Sequence, residues 1–427
     1  MNPDRKTPPA VSAITSITLP NVEEKVLDNG TRLITLHDPS LQINYFTAIT
    51  NGGSAEAQKP AIANLAALLR VEGTESRSGQ EITQLLDLYG SRLSFSVYSH
   101  YSIAKCYTLP AYTSATLELM ADMLYRPSFP VTELEVAARK MASEVGLKEA
   151  NVGYQAMRLN ARRVFGPEHP LSVAPTVADI ESTTRSQILD FSATYTRPDT
   201  TVIFFAGNMT PQVEKAIMDN FGSVKVPATP TPSMNIIAMR PTYGPEETIT
   251  MPDASQSAVI VAVPAIERKH PDYLKLRLAM MALGGYFGSR LSSNIREKLG
   301  LTYGISGALY GYDEGGVVQI TTECSNASVG RVITEVGAEL QRLVTDPPQG
   351  DELRRIILAE TAALLSTVET PFSAIDFYQT IHEFGLTTEY FSNRLNEALS
   401  LTPETIAEIA RKYLAPDKMI VSIAGNP

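Results

Sequence analysis

The chain has 427 residues, 44% of them hydrophobic and 19% charged, with 36 Lys+Arg against 46 Asp+Glu for a net charge of −10. That length predicts two or three domains, each able to bury a core of its own. The acidic balance argues against a nucleic-acid partner, whose binding rests on basic charge, and the lack of an ~18-residue apolar run argues against a membrane span.

The opening MNPDRKTPPAVSAITSITLP lacks the apolar stretch of a signal peptide, which leaves cytoplasmic and periplasmic locations both open. Further along, alternating strand pattern fills RLSFSVYSHYSIAKCYTL. Helical spacing then runs through TSATLELMADMLYRPSFPVTELEVAARKMASEVGLKEA, interrupted at RPSFP. The second half repeats this plan. LTYGISGALYGYDEGGVVQITTEC reads as strands, and GRVITEVGAELQRLVTDPPQGDELRRIILAETAALLSTVE reads as helix, Pro break, helix. The two cysteines, Cys106 and Cys324, lie in these strand-like segments and read as buried free thiols. A disulfide scaffold and a multi-Cys metal site are excluded by the count.

A direct repeat supports duplication. Tyr195, Pro198, Asp199, Ala206, Gly207 and Asn208 recur as Tyr413, Pro416, Asp417, Ala424, Gly425 and Asn426, each offset by 218. In both copies a helix ends near the Tyr, Pro prevents its continuation, and an apolar strand runs to a Gly-Asn turn. The predicted fold is α+β: two homologous α/β-sandwich halves, each an antiparallel-rich sheet with helices on one face. Residues 1–225 form the first half and 248–427 the second. Between them, residues 226–247 carry five Pro and read as an extended linker, tethering two independently folded halves.

The second half contains MALGGYFGSRLSSNIREKLGLTYGI. A helix begins around the Gly284-Gly285 turn, carries apolar Leu291 and Ile295, and stops at Gly300, after which Thr302 and Tyr303 enter a strand. A helix–Gly–strand reversal can bring Arg296 and Tyr303 to one rim. Two readings stand: Arg296 as a solvated cation favoured by the helix dipole with Tyr303 as packing, or both as donors at a site. The Gly-rich turn lacks P-loop spacing and is either a substrate-touching loop or a plain helix start. His37, His100, His169, His270 and His382 are scattered, so none offers metal-ligand spacing on one helix.

GGSAEA, AIANLAALLRVEGTE, the helix pair, GPEHPLS and the TRPD…AGN ending together resemble the pitrilysin/insulinase peptidases over nearly the whole chain. The closer likeness is to their half-length processing-peptidase branch. Active members carry H-x-x-E-H, two His for Zn²⁺ and a Glu to activate water. Alignment on Gly73-Thr74 puts Asn64 at the first His, Ala67 at the Glu and Leu68 at the second His. Glu144 falls on the third ligand, and Ala137 stands where the family has an accessory acid. The resemblance thus implies an inactive subunit that binds no cofactor itself, zinc residing in the partner.

It also implies a processing-peptidase-like metallohydrolase fold, and catalytic roles in trans for Arg296 and Tyr303 at the carbonyl of a peptide substrate. The implied partner is a similar-length subunit with the zinc motif, in a heterodimer that binds extended peptides by strand addition. The alternative is a catalytically inactive structural or peptide-binding homodimer. A self-sufficient zinc peptidase is contradicted by Asn64, Ala67 and Leu68.

Overall fold

The computed structural model of the protein describes residues 14–234 and 236–427. The first sheet holds β1 (Glu23–Val26), β2 (Arg32–His37), β3 (Asn44–Asn51), β4 (Arg92–Val97), β5 (Tyr101–Thr108) and β6 (Val202–Gly207). The second holds β7 (Glu247–Thr250), β8 (Gln256–Ala265), β9 (Thr302–Tyr312), β10 (Gly315–Ser325) and β11 (Ile420–Gly425). Their spatial orders are β1-β2-β6-β3-β5-β4 and β7-β11-β8-β10-β9. Without β1 the two sheets have one plan. A single parallel pair, β2 with β6 or β7 with β11, is followed by antiparallel neighbours out to a free edge, β4 or β9.

The repeat in the sequence maps onto this plan. β6 and β11 are central and buried along their whole length, which is why both read as continuous apolar runs instead of alternating ones. Each closes on a glycine, Gly207 or Gly425, with φ of 154° and 149°. A Cβ there would stand 2.2 Å from Asn44 Oδ1 in one half and 2.2 Å from Ser257 Oγ in the other. Cys106 and Cys324 are also 218 apart. They sit buried on the equivalent strands β5 and β10 as free thiols.

Each half covers one face of its sheet with its own helices. Phe46, Ile203 and Phe205 pack on Leu117 and Met120 of the helix Thr113–Tyr125. Val261, Val318 and Ile423 pack on Val332 and Val336 of Val329–Thr345 and on Ile406 of Pro403–Tyr413. The opposite faces are covered by exchange. Ala374, Ile375 and Tyr378 of the helix Pro371–Glu383, from the second half, fill the face made by Tyr45, Ile103 and Phe204. Reciprocally, the first-half helix Val152–Phe165 lays Ala156 on Ala258 and Ile260, and Val164 and Phe165 on Ala262 and Val317. Burying the larger of these side chains, such as Ile375, Val164 and Phe165, stabilises by about 1.5–3 kcal/mol each, so the halves are interlocked.

The connecting segment packs in the same way against the exchanged helix. Thr242 and Arg240 donate backbone N–H groups to Arg163 O (2.7 Å) and Phe165 O (3.0 Å), and Arg163 donates to Pro245 O at 2.9 Å. His169 reaches Ile237 O at 2.7 Å. The Pro-rich stretch is thus stitched along the exchanged helix, because its N–H groups find carbonyls there and its carbonyls find donors. Among the described residues no helix is long and apolar enough to cross a membrane.

Candidate functional site

The helix Pro60–Leu69 follows β3 and begins with Pro at a position suited to its fixed φ. Its buried side, Ile62, Leu65, Ala66 and Leu69, packs on Phe129, Leu134, Ile188 and Phe191. Asn64 turns its amide onto its own helix, donating to Pro60 O at 2.9 Å. Ala67 offers only a methyl group, and Leu68 is 50% exposed. Ala137 joins the apolar packing around Leu65. Glu144 is exposed on the adjacent helix Val131–Glu149, whose Val145 packs on Ala61. Zinc requires imidazole, thiolate or carboxylate ligands converging on one point. These residues do not fit it, and among the described residues no three His, Cys, Asp or Glu side chains are grouped to hold a metal ion.

The corresponding interval of the second half, between β8 and β9, has a different character. A wide helical segment, Ser292–Lys298, presents Arg296 and Lys298 on its last turn. It ends with Gly300 at φ 62°. Gly300 donates to Arg296 O (3.2 Å) and Leu301 to Ile295 O (3.0 Å), the paired bonds that close a helix on a left-handed glycine. This reversal turns Tyr303 back beside Arg296, whose guanidinium carbon lies 5.9 Å from the Tyr303 ring centroid. Phe287 closes the other side at 4.5 Å. The preceding glycines act in packing: a Cβ on Gly284 would stand 2.6 Å from Gly307 N of β9, so the loop lies directly on the strand.

The result is a cation held between two rings at the surface, a geometry worth about 0.5–1 kcal/mol when exposed. Tyr303 is 94% exposed and Phe287 69%. Beside Tyr303 runs an open groove of about 560 Å³, lined by Gly304, Ser306 and Thr321 of the second sheet and by Gly153 and Met157 of the exchanged helix. Arg296 supplies a permanent positive charge with a planar fork of donors, Tyr303 a hydroxyl donor. Phe287 was not singled out from the sequence beyond its Gly-rich loop; its contact with Arg296 depends on how that loop lies on β9.

A second cluster has no local signal in the sequence. His100, in the β4–β5 turn, places Nδ1 2.6 Å from Glu56 Oε1 and Nε2 2.6 Å from Glu314 Oε1. Glu56 also accepts the Gly53 N–H at 2.8 Å. Both ring nitrogens face carboxylate oxygens, so the ring is an imidazolium donating on both sides. Burial alone would lower its pKa, but the bonds to Glu314 and Glu56 outweigh burial and raise it to about 10. The same pairing holds the Glu314 carboxyl below its usual range against the opposing effect of burial. The cluster ties the first half to the β9–β10 hairpin of the second.

Comparison with known proteins agrees with this architecture. Residues 182–359 match the family described as the peptidase M16 inactive domain. An uncharacterized zinc protease of Mycobacterium leprae is 24% identical over 322 residues, covering 74% of this chain and 72% of that protein. One of Bacillus subtilis is 21% identical, covering 70% and 73%. Among solved structures, a peptidase M16 inactive domain from Pseudomonas fluorescens superposes with a TM-score of 0.86 at 22% identity, over 95% of this chain and 98% of the other. A protease from Helicobacter pylori gives 0.83 at 18% identity, over 95% and 100%. The solved structures establish the fold. Over residues 182–359 the chain is similar to the M16 inactive domain, and the two bacterial relatives above are named as zinc proteases.

Proposed function

We propose, with this kinship as premise, that the chain is the non-catalytic subunit of a two-chain zinc peptidase. A similar-length partner brings the metal and the general base. This chain brings Arg296, Tyr303 and part of the wall around the substrate. One observation carries the reading: Arg296 and Tyr303 stand together at the surface beside an open groove, while among the described residues no set of metal ligands is grouped.

An extended peptide entering the groove meets β9, a free sheet edge whose unpaired backbone groups can take a further strand. With the peptide so placed, the Arg296 fork and the Tyr303 hydroxyl would donate to the carbonyl oxygen as it gains negative charge. Such donors contribute about 2.7–4 kcal/mol each when well placed. Activation of water is assigned to the partner, and no residue of this chain is given that role. The second reading, a structural or peptide-binding homodimer, is supported by the loss of all three motif side chains at 64, 67 and 68.

The test is co-purification with a similar-length chain bearing H-x-x-E-H, followed by a peptidase assay on the mixture. The expected result is cleavage by the pair and none by this chain alone, with metal analysis finding zinc only in the partner. One tightly bound zinc per molecule of this chain alone would end the proposal. A stable self-dimer that leaves the partner's activity unchanged would favour the second reading.

A further inference from the structure

We infer that a cavity at the seam between the halves binds a free α-amino acid, a small zwitterion held between Arg268 and Glu314 with its side chain against tyrosine rings. The cavity measures about 360 Å³, and its walls include Tyr98, Tyr101, Tyr310 and Tyr312 together with Arg268 and Glu314. Small-molecule sites run from about 300 Å³ upward and pair mostly apolar walls with a few fixed polar groups.

Two of those polar groups are incomplete. Glu314 has a side chain only 2% exposed, and its Oε1 is taken by His100. Its Oε2 is buried with no hydrogen-bond partner among the described residues. Arg268 Nε is likewise buried and unpartnered, and the guanidinium carbon lies 3.9 Å from the Phe384 ring centroid. The neighbouring Glu383 accepts from the Tyr101 hydroxyl at 2.9 Å and from Gln379 at 2.8 Å; its charge acts on Arg268, but it makes no hydrogen bond to Arg268 Nε. An unsatisfied buried polar atom costs about 1–3 kcal/mol, more when charged. Native structures keep such atoms where something else completes them.

The residues that carry these two atoms have opposite charge and line one cavity. A lone cation would serve Glu314 and leave Arg268, and a lone anion would do the reverse. An ammonium and a carboxylate on one small molecule answer both. Stacked pairs, Tyr98 on Tyr101 at 4.8 Å and Tyr310 near Tyr312 at 6.4 Å, give its apolar body a surface that water would not need. The site requires neither a second chain nor a metal, so it stands apart from the peptidase reading.

The test is calorimetric titration of the full chain with L-phenylalanine and L-leucine, and with two truncated probes. N-acetyl-L-phenylalanine lacks the ammonium and 2-phenylethylamine lacks the carboxylate. At least one amino acid should bind, and each truncation should weaken binding by about 10-fold or more, the loss of a charge-assisted bond. Arg268→Met should erase the preference for phenylalanine over 2-phenylethylamine while keeping that over the N-acetyl compound. Two results on the unaltered chain would overturn the inference: no binding of either amino acid at about 10 mM, beyond the weak millimolar range, or equal binding of all the phenyl probes.

Discussion

The intervals β3–β4 and β8–β9 occupy the same place in the two halves, each leaving an inner antiparallel strand and returning on the sheet's free edge. In the first, the helix Pro60–Leu69 packs apolar residues inward and shows Asn64, Ala67 and the half-exposed Leu68 elsewhere. In the second, the chain brings Arg296, Phe287 and Tyr303 together at the surface. The sheets are held alike by continuous burial of β6 and β11. The connections differ: one is a helix packed largely in the interior, the other brings charged and aromatic side chains to the surface. One copy shows an amide, a methyl group and a leucine where the other shows a guanidinium beside a phenol.

Removing both donors should have the largest effect on that contrast. In the mixed complex, Arg296→Ala combined with Tyr303→Phe is expected to lower turnover strongly, at about 2.7–4 kcal/mol or 10²–10³-fold per donor. Gel filtration should still find the complex. Asn64→Ala should leave turnover nearly unchanged, within the roughly ±0.5 kcal/mol of a neutral surface substitution. Equal losses at both places would break the comparison.

The interlocking of the halves gives the next effect. Ile375→Ala, in the helix that covers the first sheet, should cost about 2–5 kcal/mol in urea unfolding, as deletions at fully buried sites do. Val164→Ala, in the reciprocal helix, should weaken the second sheet by less, since fewer methyl groups are lost. A single cooperative transition for both variants would match the exchange; two separate transitions would show halves that unfold independently.

A smaller, pH-dependent effect belongs to His100. Its pKa rises to about 10 in the fold, against about 6.5 in an unfolded chain. The bridge to Glu56 and Glu314 therefore stabilises fully below pH ~6.5, and its contribution drains away as pH climbs toward 10. The stability gap between the unaltered chain and His100→Gln should shrink over that range, and a constant gap would remove the imidazolium from the account. Smallest of all, the equivalent cysteines should react with thiol reagents only slowly in the folded state. Burial pushes the Cys106 thiol up to about 12 and raises Cys324 as well, so little thiolate forms near neutrality.

Much of this was legible without coordinates. Periodicity and Pro/Gly punctuation mark the strands and helices, and the 218-residue offset marks the duplication. Asn64, Ala67 and Leu68 are legible as plain letters, and the seven-residue step from Arg296 to Tyr303 announces a helix–Gly–strand reversal. Such features depend on neighbours along the chain, where backbone geometry leaves few choices. The tertiary structure alone decided the exchange of helices, the Glu56–His100–Glu314 bridge and the place of Phe287 over Arg296. The apolar stripe Ala374, Ile375 and Tyr378 requires a cover yet carries no address for it. Hydrophobic burial is non-directional, so which sheet receives that stripe is settled by how the whole chain packs.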